Sequence, residues 1–249
     1  MDLNEVKKNW ESFGETDPFF SILVDSSKKG GKWGASEFFA TGVNEIVDIM
    51  SKMDSLGLIP RHHRALDFGC GVGRLTQPLG TRFDEVLGID ISSNMVSLAN
   101  RLNTAPNCRF VVNERGDLSL FPDDHFDFVL SLITLQHMEP KYAKSYLREF
   151  MRVLSRGGVL YFGIPDRRKG LTNYGMVKVR AYECLAGHRH AYSLYRTLRR
   201  PPKVPSMEMH GIARTEVKSL MESAGGKVEF IENDSSNNWL SYRYCIRKS

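Results

Sequence analysis

The sequence predicts an α/β protein whose sheet begins with parallel strands and ends in an antiparallel hairpin. From residue 64 onward, short apolar runs alternate with segments of helical periodicity, which is the pattern of parallel strands joined by crossover helices. The first run passes into a glycine-rich turn within the stretch LDFGCGVGRLT. The last two β-type segments, KVEFIE and WLSYRYCIR, alternate polar and apolar residues as an antiparallel pair does.

Five apolar runs have the length and composition of parallel strands. They cover residues 65–68, 85–90, 108–112, 126–133 and 159–165. The run 126–133 is apolar on both faces, as expected for a central strand of a parallel sheet.

Three further segments predict helices. In 92–103, Ser92 or Ser93 supplies the N-cap and apolar residues recur at helical spacing. In 141–154 one face is apolar, and the glycine pair 157–158 ends the helix. Segment 215–226 is a helix closed by glycine, and the hairpin follows it where a dinucleotide-binding fold would place a sixth parallel strand.

Length and composition limit the classes of function. The 249 residues, 41% hydrophobic and 25% charged, bury one sizeable core and differ from disordered, collagenous or disulfide-rich chains. The N-terminus has no apolar signal region and no window reaches the roughly 18 apolar residues of a membrane span, so we expect a cytoplasmic protein. Four scattered cysteines without a C-x-x-C pair predict reduced thiols and no metal site.

The glycine-rich turn fits two kinds of cofactor. Glycines stand at Gly69, Gly71 and Gly73, but Arg74 occupies the place of the third glycine of a dinucleotide motif. A long side chain there opposes the close packing of helix on strand that the motif needs. Asp90, which ends the second strand, suits the ribose diol of either cofactor, so it identifies an adenosine and no more.

Four stretches in order resemble the motifs of the class I S-adenosylmethionine-dependent methyltransferases. LDFGCGVGRLT is similar to the family's first motif, an acid followed by G-x-G-x-G, and GIDIS to its second. GDLSLFPDDHFDFVLSLITLQHM is similar to the adenine-binding loop and fourth strand. RVLSRGGVLYF is similar to the helix end and fifth strand, with Arg156 where the family usually has proline.

This resemblance covers about residue 64 to the C-terminus. It implies a Rossmann-like, seven-stranded, mostly parallel sheet with a C-terminal antiparallel hairpin and helices on both faces. It also implies that the cofactor is S-adenosylmethionine, with S-adenosylhomocysteine as the product.

Carried over residue by residue, the resemblance implies a site for the methionine end of the cofactor. The backbone of four turn residues would hold it: Gly69, Cys70, Gly71 and Gly73. Asp67 would organise the turn, directly or through water, and Ser131 would face the reactive methyl group. Arg74 would reach the cofactor carboxylate, with an exposed arginine in a first helical turn as the alternative.

The resemblance also implies an adenosine site. Asp90 would accept both ribose hydroxyls, and Ile91 and Met95 would line the adenine. Asp117 and the amide of Leu118 would read the adenine edge, although a shift of a few residues would put Glu114 in place of Asp117. Simpler roles remain open: a helix cap for Asp90, a core position for Met95 and ordinary turn chemistry for Asp117.

Two histidines are candidate general bases. His137 follows the fourth strand at the sheet edge where open α/β sheets bind ligands, and it could take a proton near neutral pH. The alternative is a histidine that bonds its loop and shapes the pocket. His210 is the weaker candidate.

Two regions lie outside the family core. Residues 1–45, rich in aromatic side chains, are expected to form an N-terminal helical lid or extension, with the methyltransferase domain over residues 46–249. The alternative is that the aromatic side chains cover one side of the sheet.

The second region is a basic insertion at about residues 166–210 on the expected acceptor side. Its first 40 residues, 166–205, carry ten basic and two acidic side chains, a net charge of +8. Because the whole chain is +5, the remainder is −3. Such a segment suits an anionic substrate, RNA or a peripheral membrane contact, and a solvated helical face is the alternative.

The leading functional hypothesis is methyl transfer to an oxygen or nitrogen of a small molecule, anionic or sugar-like. An RNA methyltransferase that uses the basic insertion is the first rival. The fourth strand ends in SLITLQHM, without the N-P-P-Y or D-P-P-Y signature of amine methylases acting on bases. A non-catalytic cofactor-binding protein and a dehydrogenase rank below it.

Overall fold

The computed structural model describes residues 2–58, 61–169, 207–236 and 238–249. Most of the basic insertion, residues 170–206, lies outside the described residues, as does Cys184. The remaining cysteines, Cys70, Cys108 and Cys245, are free and buried. Within the described ranges, none of the helices is both long enough and apolar enough to cross a membrane.

Seven strands form a single sheet in the order β3-β2-β1-β4-β5-β7-β6. Their bounds are β1 Arg64–Phe68, β2 Glu85–Asp90, β3 Cys108–Val112, β4 Phe126–Ser131, β5 Leu154–Arg168, β6 Gly226–Asn233 and β7 Trp239–Lys248. The first five strands are parallel to one another, whereas β7 is antiparallel to both β5 and β6. The predicted fold class, including the reversed C-terminal hairpin, is confirmed.

Helices cover both faces of this sheet. Their bounds are α1 Leu3–Thr16, α2 Pro18–Ile22, α3 Ala35–Ser55, α4 Thr76–Leu79, α5 Ser93–Leu102, α6 Pro140–Val153 and α7 Arg214–Ser223. Residues of α6 and α7 pack into one apolar core, whereas α3, α4 and α5 contribute to a second core on the other face.

Several boundaries differ from the sequence prediction, and the helix predicted over 215–226 ends at Ser223. β4 ends at Ser131, two residues before the predicted end, because Ile133 has a φ of 60° and so leaves the extended conformation. α6 ends at Val153, four residues before Gly157, and β5 starts at once with Leu154. The strand exceeds the predicted 159–165 because β7 pairs with it as far as Arg168.

The turn after β1 needs glycine for two reasons. Gly69 has a φ of 76°, and a Cβ atom there would lie 2.2 Å from Oγ1 of Thr134. The amides of Gly69 and Cys70 both donate to the carbonyl of Ile89 at the end of β2. The turn is therefore pressed between β2 and the segment after β4.

The N-terminal aromatic residues pack together beside the sheet. Phe38, Val72 and Met95 are buried in a third apolar cluster, and Trp10, Phe13, Phe19 and Trp33 are among the partly buried residues around it. The predicted domain boundary between residues 45 and 46 falls inside α3, which is one continuous helix. On Gly42, a Cβ would lie 2.0 Å from the carbonyl oxygen of Arg74, so α3 is packed directly on the glycine turn.

Candidate functional site

A pocket lies at the carboxyl ends of β1, β2, β3 and β4, where an open α/β sheet binds its ligand. Eight predicted site residues line it: Asp67, Gly69, Cys70, Gly71, Arg74, Asp90, Ile91 and His137. Six others do not: Gly73, Met95, Asp117, Leu118, Ser131 and His210.

Asp90 joins the two sides of the glycine turn. Its Oδ2 accepts the amide of Gly71 at 2.9 Å, and its Oδ1 accepts the amide of Ser92 at 2.9 Å. Burial raises the pKa of Asp90 above its ordinary value. A carboxylate has about four lone-pair positions, so the bonds from these amides and from that of Ile91 leave acceptor capacity for a ligand hydroxyl.

Asp67 and Arg74 form the polar floor of the pocket. Asp67 is 2% exposed, accepts the Thr76 hydroxyl at 2.6 Å, and has its pKa raised to about 6 by burial. Arg74 is 4% exposed, and its Nη1 lies 3.3 Å from Oγ1 of Thr41 on α3. Among the described residues, Nε of Arg74 has no hydrogen-bond partner, so this buried guanidinium keeps a donor for a ligand.

His137 is buried and held by two hydrogen bonds. Nδ1 lies 2.9 Å from the carbonyl oxygen of Glu208, so it carries the proton, and Nε2 lies 3.1 Å from the amide nitrogen of Gln136. Burial lowers the pKa of His137, which keeps the ring neutral at pH 7. Its Nε2 is therefore a proton acceptor on the pocket wall, with Gln136 as its present donor.

The two predicted readers of the adenine edge lie off the pocket. Asp117 is exposed and bonds the amide of Ser119, as the turn alternative predicts. Leu118 is fully buried, and its amide donates to Glu149 at 2.9 Å, so that amide is already committed within the protein. The alternative acid, Glu114, forms an ion pair of 2.7 Å with Lys7 of α1.

The remaining predicted residues lie behind or beside the pocket. Met95 is fully buried against the aromatic cluster, as the core alternative predicts. Ser131 is also fully buried, and its hydroxyl has no partner within the described part of the chain. Gly73 has a φ of 86° and shapes the turn from outside the pocket. His210 lies 3.3 Å from the Glu208 carboxylate and bonds the carbonyl of Gln136 through its amide.

Several lining residues were missed by the sequence analysis. Asn113 follows β3, and its side-chain Nδ2 and Oδ1 bind the carbonyl of Asp117 and the amide of Arg115. Its position after a predicted strand was a signal that could have identified it. Leu3, Val6, Trp10 and Ile22 also line the pocket. They belong to the N-terminal region that the sequence analysis expected as a lid or extension, but that analysis assigned none of them individually to the site.

The residues present fit an adenosyl sulfonium cofactor. The lining combines an acceptor-rich carboxylate for a diol, a buried guanidinium with a spare donor, and a largely apolar wall. The enclosed space measures about 90 Å³, well below the roughly 300–1,000 Å³ of sites for ligands of this size. No group of three His, Cys, Asp or Glu side chains suited to a metal ion occurs in the described ranges.

Comparison with known proteins gives a match that runs from β1 into β5. Residues 66–162 match the family model described as "Methyltransferase domain". An uncharacterized protein of Methanocaldococcus jannaschii is 33% identical over 124 residues, which cover 50% of this chain and 55% of that protein. The 27-O-demethylrifamycin SV methyltransferase of Amycolatopsis mediterranei is 31% identical over 64% of this chain and 58% of its own length. The chain thus spans little more than half of these two curated relatives.

Among solved structures, magnesium protoporphyrin IX methyltransferase from Synechocystis PCC 6803, with bound SAH, superposes with a TM-score of 0.66. The match covers 100% of both chains at 18% sequence identity, so it shows a shared fold.

Proposed function

We propose that this chain, which belongs to the class I S-adenosylmethionine-dependent methyltransferase family, transfers a methyl group from S-adenosylmethionine to a small-molecule acceptor. The acceptor atom is an oxygen or nitrogen, and S-adenosylhomocysteine is released. The observation that carries the proposal is Asp90, which lies between the glycine turn and α5 with acceptor capacity still free in the pocket.

The cofactor site follows from the groups that line the pocket. Asp90 would accept the two ribose hydroxyls, and Ile91 would contact the adenine from the end of β2. The turn from Gly69 to Gly71 would hold the methionine end. Arg74 would bind the methionine carboxylate through the donor that has no partner in the described chain.

S-Adenosylmethionine supplies an electrophilic methyl group on a sulfonium sulfur, which departs neutral. The chain's contribution is then mainly positioning, because an in-line displacement needs the acceptor atom roughly 3 Å from the methyl carbon. Nε2 of His137 would take the proton of a hydroxyl or amine acceptor once Gln136 has turned away. The low pKa of His137 keeps this nitrogen unprotonated at neutral pH.

A small-molecule acceptor is supported by what the curated relatives are named for. They include an ajmaline N-methyltransferase, a phosphoethanolamine N-methyltransferase and a trans-aconitate 2-methyltransferase. The last two act on charged metabolites, so an anionic or sugar-like acceptor is the first class to test. The free cysteines of the described chain support action in the reducing cytoplasm.

The alternative is an RNA methyltransferase whose footprint is the basic insertion. Its support is the concentration of positive charge in residues 166–205, and the same charge would suit peripheral membrane contact. A non-catalytic cofactor-binding protein is a weaker alternative.

The test is a turnover assay that measures S-adenosylhomocysteine release with a panel of hydroxylated, amino and carboxylated metabolites. We expect release with at least one small molecule, and a higher Tm in the presence of S-adenosylhomocysteine but not of NAD. Stabilisation by NAD alone would contradict the proposal. Cofactor binding without release across small molecules and RNA would favour the non-catalytic alternative.

A further inference from the structure

Helix α1 crosses the pocket and is anchored by Glu11. The carboxylate of Glu11 accepts the amides of Ser93 at 2.9 Å and Asn94 at 3.0 Å. It also accepts the hydroxyls of Ser92 at 3.0 Å and Ser93 at 2.9 Å. Four bonds therefore join one side chain of α1 to the first turn of α5, more than 80 residues away in the sequence.

The physical basis is the exposed N-terminus of α5. The first amides of a helix have no partner within the helix, and the helix dipole favours a negative charge beside them. Ser92 caps the amide of Met95 from within the chain, and Glu11 supplies acceptors for the amides of Ser93 and Asn94. Although partial burial opposes ionisation, these bonds hold the pKa of Glu11 below its ordinary value, so the carboxylate is charged at neutral pH.

The contact between Glu11 and α5 lies next to Asp90, the proposed acceptor of the ribose hydroxyls. Ser92, which bonds Glu11 through its hydroxyl, also donates its amide to Asp90. A second anchor, the ion pair of Lys7 with Glu114, ties α1 to the segment after β3. Lys7 and Glu11 are four residues apart on one face of α1, so the two anchors join this face to the segments that follow the neighbouring strands β2 and β3.

Three apolar side chains of α1 line the pocket. Leu3, Val6 and Trp10 line it, and the ring of Trp10 lies 5.5 Å from the ring of His137. With α1 in this position the enclosed space is about 90 Å³, well below the roughly 300–1,000 Å³ of sites for ligands of this size.

We propose that Glu11 is a positioning residue of the cofactor site: it holds α1 closed through the first turn of α5 and so controls how fast the cofactor exchanges. This inference rests on the proposed use of S-adenosylmethionine. Glu11 would then set the equilibrium between the closed and open positions of α1.

The test measures the association and dissociation rate constants of S-adenosylhomocysteine by stopped-flow tryptophan fluorescence. The variants are Glu11→Ala, Glu11→Gln, which retains one acceptor oxygen, and Lys7→Met at the second anchor. Glu222→Gln is the matched control, because Glu222 is an exposed carboxylate on α7 that lies 3.7 Å from Lys218 and does not line the pocket.

For Glu11→Ala we expect a dissociation rate constant at least fivefold above that of the unsubstituted protein, with smaller increases for Glu11→Gln and Lys7→Met. The control should stay within twofold. A lower Tm for Glu11→Ala and Glu11→Gln with unchanged rate constants would show that Glu11 is only a structural cap and would overturn the inference. If Glu11→Ala does not fold, unchanged rates in both Glu11→Gln and Lys7→Met would overturn it equally. If the unsubstituted protein binds no S-adenosylhomocysteine, the proposed function itself fails.

Discussion

Asp90 is held in place by a hydrogen bond on each oxygen of its carboxylate. It bonds the amides of Gly71 and Ser92, so it orders both the glycine turn and the start of α5 before any ligand binds. A ligand diol would bond to an acceptor that is already fixed in place. Such preorganisation reduces the ordering cost of binding.

Replacing Asp90 by Asn should weaken S-adenosylhomocysteine binding by about 10- to 100-fold. The amide keeps one acceptor oxygen but loses the charge, and hydrogen bonds to charged groups contribute about 1.5–3 kcal/mol each. Isothermal titration calorimetry gives the affinity. Asp117→Asn is the control, because Asp117 is exposed and does not line the pocket. A loss as large for Asp117→Asn would restore that residue as the adenine reader.

Asp67 gives a prediction about pH. Burial raises its pKa in the folded protein to about 6, above the ordinary value of 3.8. As pH rises from about 4 to 6, Asp67 therefore loses its proton in the unfolded chain before it does so in the folded protein. The free energy of unfolding falls over this range, by up to about 3 kcal/mol from this group. The Asp67→Asn variant keeps an oxygen that accepts the Thr76 hydroxyl, but its amide does not titrate in this pH range.

Urea unfolding at pH 4.5 and pH 7.5 would check this. The variant should gain stability relative to the unsubstituted protein as pH rises. An equal difference in unfolding free energy at both pH values would show that Asp67 has an ordinary pKa.

At the scale of elements, the site depends on close packing between the turn after β1 and the segment after β4. The turn after β1 fits beneath Thr134 only because Gly69 has no side chain. The strand β4 stops early at this point, where Ile133 has a positive φ. For a β-branched residue this conformation is strained, and such strain is concentrated at functional sites.

Gly69→Ala should lower the free energy of unfolding more than Gly30→Ala does. Both glycines have a positive φ, 76° and 81°, so both substitutions strain the backbone by roughly 1–2 kcal/mol. A Cβ at residue 30 has no neighbour within 4 Å, whereas at residue 69 it would clash with Thr134. Urea denaturation measures the difference, and equal losses would mean that the two turns are not in close contact.

At the scale of the whole molecule, charge is distributed unevenly. Residues 166–205 carry +8 and the rest of the chain −3, so the sequence pI of about 9.0 reflects one segment. The pocket is largely apolar on its walls and is bordered by α1, and the one Lys or Arg among its lining residues, Arg74, is buried. This arrangement favours a small acceptor.

RNA retention should therefore be weak and should depend little on salt. A protein that neutralises 6–10 phosphates loses about 10³–10⁵ in affinity between 50 and 200 mM salt. We expect a change of less than about tenfold for tRNA in a filter-binding titration across that range. A steep slope would support the RNA methyltransferase alternative, and retention on anionic vesicles would support membrane contact.

The sequence alone determined the sheet, the glycine turn and Asp90. Each rests on a local pattern: strand periodicity, closely spaced glycines, or an acid at a strand end. The two-residue error at the end of β4 arose because Ile133 is apolar and yet leaves the strand.

Tertiary structure alone decided which side chains complete the pocket. Trp10 reaches it from a helix that is remote in sequence, and Glu11 of the same helix bonds the first turn of α5. The Nδ1 proton of His137 is fixed by the carbonyl of Glu208, 71 residues later. Periodicity describes only neighbours along the chain. Contacts across more than 70 residues are set by how helices pack on the sheet, so no pattern within one segment could reveal them.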